Sequence, residues 1–257
     1  MNRIKNAFDH GKAFIAFITG GDPDLDTTEE LIVSLEEAGA DLIEIGVPFS
    51  DPIAEGEVIQ AANERALKSG CTTDALFQMI ERVRDKVAVP LVLLTYINPI
   101  YTYGKERFLK RCNECGIDGI IVPDLPYEEK EELIDDCDTN NVHLISLIAP
   151  TSNERIEMIA KDAKGFIYCV SSLGVTGVRE DIKTDLSNMV GRVKKVTSTP
   201  CAIGFGISIP EQAKEMSKLS DGVIVGSAIV SLIEKYGKDC TKPVKEYVRE
   251  MKSSITN

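Results

Sequence analysis

Glu37-Ala38-Gly39-Ala40-Asp41-Leu42-Ile43-Glu44-Ile45 is the stretch that decides the fold. It reads as a helix end, a tight turn at a glycine and a buried strand, and glycine permits the left-handed backbone that closes such a helix. The unit returns as Glu114-Cys115-Gly116-Ile117-Asp118-Gly119-Ile120-Ile121-Val122. A shorter echo is Leu219-Ser220-Asp221-Gly222-Val223-Ile224-Val225. Outward from these units, apolar runs at 14–19, 42–46, 91–96, 119–122, 143–148, 166–170, 201–204 and 222–225 alternate with amphipathic segments. Strand–helix alternation predicts a parallel sheet, and runs apolar on both faces fit strands covered by helices.

Helix signals lie between the runs. Thr27 or Thr28 precedes a helix over 29–37 that ends at Gly39, and Thr73 precedes one over 74–84. Pro126 precedes a helix over 128–140, and Ser208-Ile209-Pro210-Glu211 reads as a capping box. Eight evenly spaced units favour closure, because a barrel removes both sheet edges; an open doubly wound sheet is the alternative. The chain has 257 residues, the size of one such barrel, and no low-complexity linker. Residues 1–257 are therefore expected to form a single α/β domain, a (β/α)8 TIM barrel with extra short helices.

Hydrophobic residues make up 43% and charged residues 27%, a balance expected of a soluble globular protein. The formal net charge of −12 repels phosphate backbones, so no nucleic-acid partner is expected. A basic amphipathic helix for a membrane surface is missing, and no apolar run approaches the roughly 18–20 residues of a membrane span. Without a recognisable signal peptide, the expected location is cytoplasmic. The 7 cysteines are odd in number and scattered, which fits reduced thiols. Cys112 and Cys115 form a lone C-x-x-C at a helix end, whereas a reactive pair wants a helix N-terminus. No second pair completes a zinc site, and His10 and His143 share no ligand spacing, so no metal is expected.

Glu44 breaks an apolar strand. Side chains alternate along a strand, so Glu44 shares a face with Leu42 and Gly46 and is expected to point into the barrel. Burial there raises its pKa toward the range useful for acid–base catalysis; the structural alternative is a hydrogen-bonded acid. Pro48-Phe49-Ser50-Asp51-Pro52-Ile53-Ala54-Glu55-Gly56-Glu57 follows, at the carboxyl end where barrels place their sites. Glu55 is a candidate to act with Glu44 across the mouth, or is part of a solvated acidic loop. Gly204-Phe205-Gly206-Ile207-Ser208 follows the seventh run, and Gly226-Ser227 opens a helix after the eighth. Their backbone N–H groups suit a phosphate. Ser171-Ser172-Leu173-Gly174-Val175-Thr176-Gly177 is a candidate lid. Tyr168 and Asp124 are placed to face the mouth, or serve as a core phenol and a turn residue.

At these residues the chain closely resembles the tryptophan synthase α-chain family along nearly its whole length. The specific motifs are Glu44-Ile45-Gly46-Val47-Pro48-Phe49-Ser50-Asp51-Pro52, the 171–177 segment and Gly204-Phe205-Gly206-Ile207-Ser208. Supporting matches are Thr19-Gly20-Gly21-Asp22-Pro23, Tyr96-Ile97-Asn98-Pro99 and Gly226-Ser227-Ala228-Ile229-Val230. The resemblance implies a lyase of L-tryptophan biosynthesis that cleaves indole-3-glycerol phosphate to indole and glyceraldehyde 3-phosphate by a retro-aldol step. It implies Glu44 as general acid–base, Glu55 as the acid that holds the indole N–H, and Tyr168 as an active-site tyrosine. Phe17, Ile59 and Leu94 correspond to the indole pocket. Thr176, Gly177, Phe205, Gly206, Gly226 and Ser227 correspond to the lid and phosphate site. Pro48, Asp51, Asn98 and Pro126 fall on loops that touch a β chain in an αββα complex. Pyridoxal phosphate belongs to that partner, and no cofactor is implied in this chain. The chain departs from the family pattern in carrying Glu55 for Asp and Glu57 for Pro. A stand-alone lyase, a weakly active subunit that mainly activates the β chain, and another phosphosugar barrel are the competing readings.

Overall fold

The computed structural model describes residues 3–150, 153–170, 180–204 and 206–256. Among the described residues nine parallel strand segments form one sheet: β1 (Ala13–Thr19), β2 (Leu42–Gly46), β3 (Leu91–Leu94), β4 (Gly119–Ile121), β5 (His143–Leu144), β6 (Ser146–Ile148), β7 (Ile167–Val170), β8 (Cys201–Gly204) and β9 (Gly222–Val225). Their order is β5-β4-β3-β2-β1-β9-β8-β7-β6. The two outer segments, β5 and β6, are consecutive in the chain with only Ile145 between them. β5 pairs with β4 and β6 with β7, so the chain itself joins the edges into a nearly closed barrel. The run over 143–148, expected as one strand, thus divides at Ile145, whose N–H still bonds the Ile120 carbonyl at 2.9 Å.

Alternation along the strands sorts side chains into two layers. Phe14, Ala16, Ile18, Ile43, Ile45, Leu91 and Leu93 pack outward into the layer beneath the helices. Ile15, Leu42, Val92, Ile121, Ala202 and Ile224 fill the lumen. Ile4, on the short helix Arg3–Phe8, joins this inner cluster, and the Phe8 ring lies 5.9 Å from that of Phe166, the residue just before β7. The lumen is therefore plugged at the amino-terminal ends of the strands. Each fully buried aliphatic side chain contributes about 1.5–3 kcal/mol, and together they leave only the opposite end open for a ligand.

Several helix starts differ from the sequence signals. The helix Leu25–Glu37 begins before the threonines, because Asp24 Oδ1 accepts the Thr27 N–H at 2.8 Å and forms the cap. Thr72, one residue earlier than expected, caps Thr73–Arg84 by accepting the Ala75 N–H. The capping box at Ser208 does not form. Pro210 begins its helix with Ile209 as the cap residue, and Gln212 Oε1 accepts the Ser208 N–H at 2.8 Å instead. After Pro126 the chain makes a 3-10 turn, Tyr127–Glu132, before the helix Ile134–Thr139. At the quoted turns Gly39 and Gly116 have φ of 98° and 72°, the left-handed region that disfavours a Cβ. Cys112 and Cys115 are buried at the end of the helix Lys105–Glu114, and burial pushes both thiols up.

Candidate active site

Glu44 sits in the centre of β2, paired in register with Phe17 of β1 and Val92 of β3. Leu42 lies in the lumen, and Ile43 and Ile45 lie beneath the helices, so alternation turns Glu44 inward. It is 1% exposed, and among the described residues neither carboxyl oxygen has a hydrogen-bond partner. Burial, reinforced by the charge of Glu55, pushes its pKa up to about 8. A carboxyl in this state is protonated at neutral pH and able to give up its proton to a bound molecule.

Glu55 stands on the loop after β2 in a different environment. Asn63 Nδ2 donates to Glu55 Oε2 at 2.7 Å, and Gln60 Nε2 donates to the Glu55 carbonyl at 2.7 Å. Burial raises the Glu55 pKa, while hydrogen bonds from Asn63 and Tyr96 oppose the rise. Tyr96, 2% exposed, accepts the Ala54 N–H on its hydroxyl at 3.0 Å. Its ring stands 5.4 Å from that of Phe49. Asp124 accepts the Ile97 N–H at 3.0 Å and so holds the start of the helix Ile97–Tyr103, the turn role that its position allowed.

Tyr168 of β7 lies close enough to Glu44 that the carboxylate, together with burial, raises its phenol pKa well above the ordinary value. A Cβ at Gly204 would lie 2.5 Å from the Tyr168 hydroxyl, so this glycine at the end of β8 leaves room for the ring. Glycine serves Phe17 in the same way. Cβ atoms at Gly46 and Gly226 would meet its ring at 3.0 and 3.2 Å. Phe17, Ile59, Ala62 and Val230 form one apolar cluster against which Leu94 packs. The three residues expected at an indole pocket, Phe17, Ile59 and Leu94, are thus together at the mouth. A cavity of about 740 Å³ is lined by residues around β4, β5 and β6, among them Pro126, Ser146, Arg155 and Asp162, with Ala54 and Val170; Phe17, Ile59, Leu94 and Glu44 are not part of its wall. Its size is typical of a small-molecule site.

Gly206 has φ of 72° and is exposed beyond β8. Gly226 precedes the helix Ser227–Tyr236, whose exposed first residue is Ser227. The first N–H groups of a helix lack intrahelical partners and attract anions. Thr176, Gly177 and Phe205, and with them the candidate lid, lie outside the described residues. Asp51, Asn98 and Pro126 are exposed and Pro48 is half-buried, all at the carboxyl side of the strands. Ile53, in the same loop as Glu55, is 79% exposed. Among the described residues no cluster of His, Cys, Asp or Glu is arranged to hold a metal, and no helix is long and apolar enough to cross a membrane.

Asn63 and the Tyr96 hydroxyl were not singled out from sequence. Asn63 did leave a signal. Ile59, Ala62, Asn63 and Ala66 are the buried positions of the helix Glu57–Lys68, and Asn63 is the polar one among them. A polar group on an apolar face demands a partner.

A ring of parallel strands plugged at one end, with an unpaired buried acid and glycine turns at the other, defines a (β/α)8-barrel of the enzyme type. The model of the tryptophan synthase alpha chain family matches residues 4–256. A tryptophan synthase alpha chain from Thermoanaerobacter sp. (strain X514) is 48% identical, over 99% of this chain and 100% of that relative. One from Lacticaseibacillus casei is 44% identical, over 99% of this chain and 96% of the relative. The solved alpha subunit from Legionella pneumophila str. Paris superposes with a TM-score of 0.90 at 34% identity, covering 100% of this chain and 99% of that one. A chain from a tryptophan synthase complex of Pyrococcus furiosus gives a TM-score of 0.87 at 35% identity, covering 95% and 99%. The chain belongs to the tryptophan synthase alpha chain family.

Proposed function

We propose that this chain cleaves indole-3-glycerol phosphate to indole and glyceraldehyde 3-phosphate, with Glu44 as general acid–base. The observation that carries the reading is the orphaned Glu44 carboxyl, buried and drawn up to about 8, beside the apolar cluster of Phe17, Ile59 and Leu94. Protonated Glu44 gives its proton to C3 of the indole ring. The bond from C3 to the side chain then breaks, and its electron pair restores the aromatic ring. The adjacent hydroxyl becomes the aldehyde and releases its proton to the Glu44 carboxylate, which returns to its starting state. Positive charge develops at the ring nitrogen when C3 is protonated, and an ionised Glu55 holds that N–H. Burial raises the pKa of both carboxyls, but at Glu55 hydrogen bonds from Asn63 and Tyr96 oppose the rise, while Glu44 has no such bonds; the two tasks fall to acids held in different surroundings. Tyr168 borders the same carboxyl, and Gly206, Gly226 and Ser227 take the phosphate through backbone N–H groups.

The proposal includes a β chain, containing pyridoxal phosphate, in an αββα complex that receives the indole. Its support is the likeness to chains of tryptophan synthase structures and the exposed Asp51, Ile53, Asn98 and Pro126 around the mouth. A cytoplasmic setting is part of the same reading and rests on seven free, buried cysteines. The test is indole release from indole-3-glycerol phosphate by the purified chain, with and without a β chain. Release that the β chain strongly stimulates is expected. High release by the chain alone favours a stand-alone lyase, and no indole in either arm ends the proposal.

A further inference from the structure

We propose that Asn63 is a positioning residue for Glu55, so that the helix Glu57–Lys68 sets where this carboxylate stands in the barrel mouth. The inference rests on the reading of Glu55 as the group that holds the indole N–H. A glutamate on a loop has three side-chain torsions to fix, and a loose carboxylate has to be ordered at each turnover. Here it is held at both ends. Gln60 binds its main-chain carbonyl and Asn63 binds its carboxyl, each at 2.7 Å. The Tyr96 hydroxyl already accepts from the Ala54 N–H, so its own hydrogen is available to the carboxylate.

The chemistry of position 63 specifies an amide. Asn63 is 4% exposed, and its Oδ1 accepts the Phe49 N–H at 3.3 Å. That contact turns the NH2 toward Glu55. An aspartate at 63 accepts from Phe49 but has nothing to donate to Glu55, and an aliphatic residue does neither. A side chain present only to fill the apolar face has no need of either bond. The platform itself is anchored on its other side. Arg65 holds both oxygens of Asp22 at 2.8 Å and Glu234 at 2.9 Å, which fixes the helix to the loop after β1 and to the helix Ser227–Tyr236. Asn63 thus stands on a rigid element, as positioning groups require.

The charged and titratable groups facing this pocket are Glu44 from β2 and Tyr96 beyond β3, with Asp124 beyond β4 acting on Tyr96. The bonds from Asn63 and Tyr96 keep Glu55 ionised to lower pH than burial alone allows. Losing the Asn63 bond raises the Glu55 pKa and moves the acid side of the activity profile upward.

Indole release is measured against pH for the parent chain, Glu55→Gln, Asn63→Ala and Asn63→Asp, with thermal unfolding of each. Glu55→Gln tests the reading beneath the inference, and parental activity in it removes the assigned role of Glu55. With Glu55→Gln impaired, Asn63→Ala is expected to lower kcat/KM about tenfold and raise the acid limb by about one pH unit. Asn63→Asp, nearly the same shape and therefore the variant that keeps the fold, is expected to raise the limb further through like charge. An unmoved or lowered acid limb in folded Asn63→Asp overturns the proposal, whatever the change in stability.

Discussion

Two buried carboxyls, one in the loop after β1 and one on the neighbouring strand β2, have opposite surroundings. Asp22, in the loop after β1, is 0% exposed, and Arg65 holds both of its oxygens. Glu44, on β2, is 1% exposed, and among the described residues nothing holds it. Burial raises the pKa of both. Arg65 opposes the rise at Asp22, while Glu55 adds to it at Glu44. A buried acid with a bidentate guanidinium is a structural joint, here between three elements. A buried acid without a partner costs stability, and such a cost at a barrel mouth marks a group kept for a ligand.

The comparison is broken or sharpened most strongly at Arg65. Arg65→Met strands Asp22 in the interior and is expected to lower stability by about 3 kcal/mol or more in a urea titration. A loss below about 1 kcal/mol removes the distinction between joint and orphan. Glu44→Gln is expected to behave in the opposite sense. Indole release falls roughly 10²-fold or more, yet the folded state gains about 1–3 kcal/mol at pH 8. The sign follows from linkage. The Glu44 pKa is raised on folding, so between its ordinary value of 4.5 and about 8 the folded chain keeps a proton that the unfolded chain releases. Stability therefore falls as pH rises through this window, and glutamine is free of that penalty. The gain should be near zero at pH 5; a gain independent of pH contradicts the assigned state of Glu44. The smallest expected effect is on the parent profile, where kcat drops by about half near pH 8 as Glu44 loses its proton. A flat profile through pH 9 takes the acid role from Glu44.

The degree to which this was legible in the chain varied with the range of the forces involved. The strands Leu42–Gly46, Cys201–Gly204 and Gly222–Val225 coincide with their apolar runs, because sheet burial imposes a pattern on consecutive residues. Helix starts moved by one to several residues, because caps depend on single side chains such as Asp24 and Gln212. Glu44 was visible as an acid inside an apolar strand. Arg65 carried no such mark, because its partners Asp22 and Glu234 are 43 and 169 residues away.

The amino-acid order by itself determined the repeating strand–helix unit, the inward face of Glu44 and the glycine turns, since each follows from local periodicity and backbone freedom. Only the tertiary structure decided that Asp22 would be matched and Glu44 left bare, that Asn63 would take Glu55, and that the ring would close through a strand broken at Ile145. The physical reason is that hydrogen bonds and desolvation act over a few ångströms in space, wherever the chain brings their atoms, and the periodicity of neighbours in sequence does not encode that distance.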